Sequence, residues 1–191
     1  MFWLAFCLIQ EKKNIFYSFK SNKIYDLEDD ASQSIKDQAG KKNISTVGYY
    51  LIYNKLDNPF APSNGYFARL NQGFAGLGGD LNFIKSEYKV SYFKTIAKSK
   101  LGNVILNMST KGGYVFGYDN QDVLIGQRFF LNEIRGFDNA GIGPRDINTK
   151  DALGGKAFLL NTAEVEFPLG LPKEIDIRGT AFFDNGILTG L

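Results

Sequence analysis

Hydrophobic and polar positions alternate with a period of two along most of the chain, which is the pattern of β-strands with two different faces. The clearest example begins near Ile44, where Thr46, Gly48, Tyr50 and Asn54 face one way. Its larger side chains, which share one face, are Val47, Tyr49, Leu51 and Tyr53. Similar segments begin near Tyr66, Tyr88, Val104, Ala157 and Ile175, and a further strand is expected over 14–27. A meander of antiparallel strands accounts for this pattern.

The connections between these strands differ greatly in length. Turn residues close the strand that ends near Asn54, and a polar segment over 28–40 has a short helix expected to start at 30–33. The connection 118–156 is far longer. Loops of more than about 12–15 residues without regular structure are usually functional or disordered.

Aromatic and β-branched residues in this long connection argue against disorder, where such residues are depleted. The segment 129–137 reads Phe-Phe-Leu-Asn-Glu-Ile-Arg-Gly-Phe. We therefore expect the loop to fold back and bury apolar side chains. Arg135 at its centre then requires an acidic partner, since an unpaired buried charge is very costly.

Two faces recur along the strands, one apolar with Tyr near its ends and one carrying charges of both signs. A soluble sandwich would bury the apolar face. Strands of about ten residues, long loops alternating with short turns, and aromatic residues at the strand ends instead favour a membrane barrel with that face outward. The expected fold class is an all-β, antiparallel transmembrane β-barrel.

Composition narrows the classes of function. Lys and Arg number 22 against 20 Asp and Glu, giving a net charge of +2 without a clustered basic face, so we expect no nucleic-acid binding. The chain has no histidine and one cysteine, Cys7, so metal, cofactor and triad chemistry are not expected. No apolar run reaches the length of a transmembrane helix. Residues 1–9 are apolar but lack the flanks of an intact signal peptide, so we expect either a strand there or a displaced start where a longer protein has been cut.

Several motifs resemble the BamA-type outer-membrane assembly factors of the bacterial surface antigen superfamily, over about residues 14–190. The motifs that carry the resemblance are Tyr-Asn-Lys-Leu-Asp-Asn-Pro at 53–59 with 60–65 behind it, Ile-Arg-Gly-Phe at 134–137, Gly-Ile-Gly-Pro-Arg at 141–145, Gly-Gly-Lys at 154–156, Ala-Glu-Val-Glu-Phe-Pro at 163–168, and Phe-Phe-Asp-Asn-Gly at 182–186. Each alone is modest, but their order and spacing are specific.

The resemblance implies that 1–191 is a partial outer-membrane barrel domain with about seven or eight of sixteen strands. Its long loop, 118–156, would fold into the barrel lumen. The POTRA domains and the final strands are expected to be absent from this chain, which is not expected to be active alone. The implied location is the outer membrane of a Gram-negative cell. The implied partners are the outer-membrane lipid bilayer, unfolded outer-membrane protein clients and assembly-complex lipoproteins.

The residues also predict how the loop is held. Glu166 and Asp184 lie on the charged face of consecutive strands, where the planar guanidinium of Arg135 could meet both carboxylates. Gly136 permits a tight turn at the loop tip, and Phe137 is expected to insert into the lumen wall. The resembling family has a matching arginine with this lumenal contact. Glu164 and Asp176 are alternative partners, and Glu166 and Asp184 could instead be ordinary hydrated charges.

Three other functions remain open from the sequence. A two-partner secretion or translocation pore of the same superfamily shares the Arg-Gly-aromatic loop. A soluble β-rich binding domain would bury the face of Val47, Tyr49, Leu51 and Tyr53. Paired acids also suggest glycosidase-like chemistry, but nothing else supports it, so we do not expect an enzyme.

Overall fold

The computed structural model describes residues 10–25, 28, 30–171 and 177–190. It contains seven strands in one sheet. The strands are β1 (Gln10–Ile24), β2 (Gly40–Asn54), β3 (Gly65–Ala75), β4 (Phe83–Ser99), β5 (Gly102–Gly117), β6 (Ala157–Pro168) and β7 (Arg178–Thr189). A short helix, α1 (Gln33–Lys36), and a 3₁₀ turn (Ile125–Gln127) lie between strands. Within the described residues, no helix has the length and apolar character needed to cross a membrane.

Each strand pairs antiparallel with the next one in the chain, in the order β1 to β7. The connections 25–39, 76–82 and 118–156 leave from one end of the sheet, and 55–64, 100–101 and 169–177 leave from the other. A shift of pairing between Thr95 and Ala97 makes β4 irregular near the turn end. The meander of about seven or eight antiparallel strands that the alternation predicted is therefore confirmed. As in the sequence-based expectation, the sheet is part of a barrel and is not closed.

The bounds of individual elements differ modestly from expectation. The first strand begins earlier than residue 14 and ends at Ile24, and α1 begins at Gln33. The expected strand over residues 1–9 falls outside the described part of the chain. So does the expected start of the last strand near Ile175, because β7 begins at Arg178 in the described residues.

One face of the sheet, which we call the apolar face, is exposed along its length. Its members include Leu51, Tyr88, Val90, Tyr92, Phe183 and Ile187. Leu51 is 39% exposed and Phe183 is 68% exposed. A soluble sandwich would have covered these side chains, but the described strands form a single sheet with no second layer on this face. The described strands therefore do not show the arrangement of the rival soluble domain, in which Val47, Tyr49, Leu51 and Tyr53 would pack inside.

The buried core lies on the opposite face, which we call the charged face, beneath the long loop 118–156. Strands contribute Ile44, Ala75, Phe83, Val115, Leu160 and Leu188, and the loop contributes Val123, Phe129, Leu131 and Ile134. Fully burying one such large side chain stabilises a fold by about 1.5–3 kcal/mol. The loop thus folds back onto the sheet and completes its core.

Candidate functional site: the docked loop

The long loop is fixed at its base by backbone pairing. Phe129 and Gly155 form an antiparallel bridge with reciprocal hydrogen bonds, N–H of Phe129 to the Gly155 carbonyl at 2.9 Å and the reverse at 3.0 Å. Asp122 accepts a bond from Lys156 at 2.7 Å and one from Arg128 at 3.3 Å. The hydrogen bond from Lys156 holds the pKa of Asp122 below its ordinary value. The two ends of the loop are therefore tied together before it extends over the sheet.

Aromatic and cationic contacts also join the loop to the sheet. Phe129 packs against Phe158 of β6 with ring centroids 4.8 Å apart. Lys85 of β4 lies over the Phe129 ring at 4.3 Å and donates a hydrogen bond to the Gln127 carbonyl at 3.0 Å. Such a cation over an aromatic face is stabilised by the ring quadrupole. These contacts place 129–135 directly above β5, β6 and β7.

Small residues in the strands let the loop approach closely. A Cβ at Gly186 of β7 would overlap the Ile134 side chain, and a Cβ at Gly113 of β5 would lie 2.8 Å from the Phe129 ring. Ile134 is only 6% exposed as a result. The wall of the sheet is therefore shaped to receive Ile134 and Phe129.

Arg135 follows Ile134 and meets two carboxylates on the charged face. Its Nε and Nη2 donate to Oδ2 and Oδ1 of Asp184, each at 2.8 Å. Its Nη1 donates to Oε1 of Glu164 at 2.9 Å. The first pair is the bidentate geometry that only a guanidinium provides. The structure therefore brings Arg135 and Asp184 together, as the strand phases predicted.

The arginine is further held by an aromatic ring that the sequence did not identify. Its guanidinium carbon lies 3.5 Å from the centre of the Phe182 ring, on the same face of β7 as Asp184. The hydrogen bonds to Asp184 raise the pKa of Arg135. Arg135 is therefore a cation at ordinary pH.

The expectation for Glu166 is corrected by the register of β6 and β7. Thr162 lies opposite Asp184 and Glu164 opposite Phe182, whereas Glu166 lies opposite Thr180, farther from the arginine. Glu166 instead pairs with Arg178, Nε to Oε2 at 3.3 Å. Glu164, which the sequence left as an alternative, occupies the position expected of Glu166. The other alternative, Asp176, lies outside the described residues.

Of the two residues after Arg135, Gly136 has the expected conformation and Phe137 does not have the expected position. Gly136 has a φ of +87°, a backbone conformation that favours glycine, in agreement with a tight turn. Phe137 was expected to insert into the wall but is 61% exposed. Ile134 takes that role, because it is the side chain that faces Gly186. The alternating hydrophobic pattern offered no signal for choosing Ile134 over Phe137.

A second ion pair connects the loop to the sheet. Glu133 pairs with Lys111 of β5, and the sequence did not single out either residue. Glu133 and Arg135, which are two residues apart in the loop, thus pair with sheet residues of opposite sign. Arg135 pairs with both acids beside it. The described residues contain no group of three or more side chains suited to hold a metal ion. These contacts join the loop to the sheet.

Comparisons with known proteins identify the family of the chain. The model of the Omp85 superfamily domain matches residues 7–191. The outer membrane protein assembly factor BamA of Neorickettsia risticii is 47% identical over 175 residues, which are 92% of this chain and 23% of that protein. The BamA of Nitratidesulfovibrio vulgaris is 29% identical over 90% of this chain and 22% of its own. The mouse sorting and assembly machinery component 50 homolog is 27% identical over 73% of this chain and 29% of its own.

A solved structure gives the same fold. The crystal structure of Haemophilus ducreyi BamA lacking POTRA domains 1–3 matches with a TM-score of 0.73 and 17% identity. The match covers 94% of this chain and 38% of the other. The chain therefore spans about a quarter of the curated relatives named above and matches a region of that barrel.

Proposed function

The chain belongs to the Omp85 superfamily, and on that premise we propose that it is a segment of an outer-membrane protein assembly factor. The observation that carries the proposal is the loop 118–156, docked on the charged face by Arg135 while the apolar face is left free. That arrangement suits a barrel wall with lipid outside and a polar lumen inside. The similar proteins from bacteria and from mouse carry names that describe assembly, which favours this function over a secretion pore.

The proposed partners follow from the two faces. The apolar face would contact the lipid bilayer of the outer membrane, and the charged face would line the lumen. Unfolded outer-membrane proteins would be the clients, received by strand addition at a barrel edge rather than by chemical catalysis. Assembly-complex lipoproteins stay a prediction of the family resemblance, and no enzymatic role is proposed.

We further propose that Arg135, Glu164 and Asp184, together with Gly136, hold the loop in its working position. Asp184 has a side chain only 5% exposed, so removing Arg135 would leave a nearly buried carboxylate without its cation. A hydrogen bond to a charged group contributes about 1.5–3 kcal/mol. Because Arg135 is itself 37% exposed, we expect a loss near the lower value.

The test replaces the matching region of the Neorickettsia risticii relative with this chain. The chimera is placed in lipid vesicles, and insertion of an outer-membrane protein client is measured. We expect the chimera to insert clients, and Arg135→Ala to lower the rate about tenfold, consistent with the energy above, while exposing the loop to protease. Arg135→Lys keeps the positive charge but loses the bidentate contact with Asp184. Its insertion rate should lie between those of the unsubstituted chimera and Arg135→Ala. A folded chimera without insertion activity would contradict the proposed function.

A further inference from the structure

Three cationic side chains lie side by side on the charged face beneath the loop. Arg69 of β3 is directly opposite Lys89 of β4, and Lys89 is directly opposite Lys111 of β5. We call these three residues the basic row. Like charges directly opposite each other on neighbouring strands destabilise a sheet. An anionic group against the basic row would remove that cost.

The basic row borders a cavity of about 330 Å³ between the sheet and the loop. Aromatic side chains form its other wall, among them Phe129, Phe130 and Phe158. Ligand sites commonly have this size and combine apolar walls with a few polar groups that fix orientation. The cavity therefore suits an acidic group attached to an apolar segment.

The loop itself shows the kind of ligand that fits. The carboxylate of Glu133 lines the cavity and pairs with Lys111, and it follows the apolar segment 129–131. Its side chain is 59% exposed, so the pair is of the solvent-exposed kind that contributes only about 0–1 kcal/mol. Glu133 is therefore held weakly enough to be displaced.

The other two cations have room for a second carboxylate. Among the described residues, no acidic side chain forms an ion pair with Lys89 or Arg69, and Arg69 lies over the Tyr50 ring at 5.9 Å. The nearby acid Glu87 accepts a hydrogen bond from Asn71 at 3.3 Å. Glu87 also lines the cavity, so two carboxylates, Glu87 and Glu133, face the three cations and one positive charge of the basic row stays unbalanced.

We propose that the basic row is a binding site for acidic polypeptide segments, occupied by Glu133 when no such segment is present. An incoming segment that carries a carboxylate next to apolar residues displaces Glu133 from Lys111. The loop then loses its ion pair with β5 and keeps its contact with β6 and β7 through Arg135. The inference rests on the proposed function in one respect, which is that the segment belongs to a client protein in the lumen.

The test uses the full chain folded in detergent micelles with the substitution Glu133→Gln, which removes the negative charge that pairs with Lys111. The probe is a labelled, amide-capped peptide copied from 129–133, compared with the same peptide carrying Gln in place of Glu. At low salt we expect the acidic peptide to bind about tenfold more tightly, the equivalent of one charge-assisted contact. Lys89→Gln should remove most of that difference. Lys94→Gln, on the same strand but facing outward, should leave it unchanged.

Equal affinity for the two peptides would overturn the proposal, as would equal effects of Lys89→Gln and Lys94→Gln. Circular dichroism checks that each variant retains its β-sheet. If Lys89→Gln does not fold, Lys111→Glu paired with a peptide carrying Lys instead of Glu gives the reciprocal test. Rescue of binding by the reversed charges supports the site, and its absence refutes it. Peptide binding needs no assembly activity, so its failure would leave the proposed function intact.

Discussion

The position of one carboxylate decides how Arg135 is bound. Both Glu164 and Glu166 lie on the charged face of β6, two residues apart, and nothing in their local sequence separates them. The pairing of β6 with β7 separates them, because it brings Glu164 beside Phe182 and Asp184 and moves Glu166 beside Thr180. A displacement of two residues along a strand is about 7 Å, beyond the reach of a direct ion pair.

This difference gives a prediction at the scale of single residues. Glu164→Gln should weaken loop docking by about 1 kcal/mol, because it removes one charged acceptor from Arg135 and leaves Asp184 in place. Glu166→Gln, the matched control two residues away, should leave the loop unchanged, since Glu166 pairs with Arg178. Limited proteolysis of the loop measures both variants. Equal protease sensitivity of the two would show that Glu164 does not hold the arginine.

Elements meet where small residues allow a close approach. The loop and β7 touch through Ile134 and Gly186, with no room for a side chain at the glycine. The same loop reaches the first connection of the sheet: Gln38 accepts a bond from Ile125 at 2.8 Å, and Asp151 accepts one from Ser32 at 2.8 Å. Docking of the loop is thus shared between the wall and the neighbouring connection.

Gly186→Val tests the close approach. The added side chain would overlap Ile134 and force it out of the wall, at a cost of about 1–3 kcal/mol for overpacking. We expect faster hydrogen exchange throughout 129–137. Ala181→Val adds comparable bulk to the same strand on the exposed apolar face and is the control. Unchanged exchange in Gly186→Val would mean that Ile134 does not depend on the glycine.

The turn between β2 and β3 depends on one carboxylate. Asp57 accepts hydrogen bonds from the backbone of Ser63 at 2.9 Å and of Asn64 at 3.0 Å, and also from the Ser63 hydroxyl. Desolvation by itself would raise the pKa of Asp57, but these hydrogen bonds outweigh it and hold the pKa well below its ordinary value. The ionised carboxylate therefore stabilises the turn.

The sign of the pH dependence follows from the lowered pKa. The contribution of Asp57 should be fully present above the ordinary Asp pKa of about 4 and should be lost as the pH falls through the lower folded value. Asp57→Asn should destabilise the hairpin by about 1 kcal/mol at neutral pH and flatten this acid dependence. Hydrogen exchange of residues 54–66 between about pH 2 and 7 checks it. An acid dependence equal to that of the unsubstituted chain would contradict the assignment.

At the scale of the whole molecule, the sheet presents a lipid-compatible exterior and a polar interior. Outward side chains such as Tyr88, Val90 and Tyr92 are more than 40% exposed, while the core lies under the loop. This inverts the arrangement of a soluble sandwich, in which the apolar face is covered. The inversion is the physical property that membrane insertion requires.

Charge placement on the two faces should therefore have unequal effects. Val90→Arg puts a cation on the apolar face and should cost about 2–4 kcal/mol of stability in a bilayer, if Val90 lies near the midplane. Ser109→Arg places the same group on the charged face of the adjacent strand and should be tolerated. Folding into lipid vesicles, followed by urea titration, compares the two. Equal destabilisation would mean that the apolar face does not meet lipid.

The sequence by itself determined the strands, their two faces and the requirement that Arg135 find an acid. The strands and their faces follow from period-two alternation, which is a local pattern. The need for an acid follows from the cost of an unpaired buried charge, which is a general physical rule. Only the tertiary structure decided that Glu164 rather than Glu166 completes the site, that Ile134 rather than Phe137 enters the wall, and that Glu133 meets Lys111. Strand register and the path of a long loop depend on contacts between residues distant in the chain, and no local pattern encodes them.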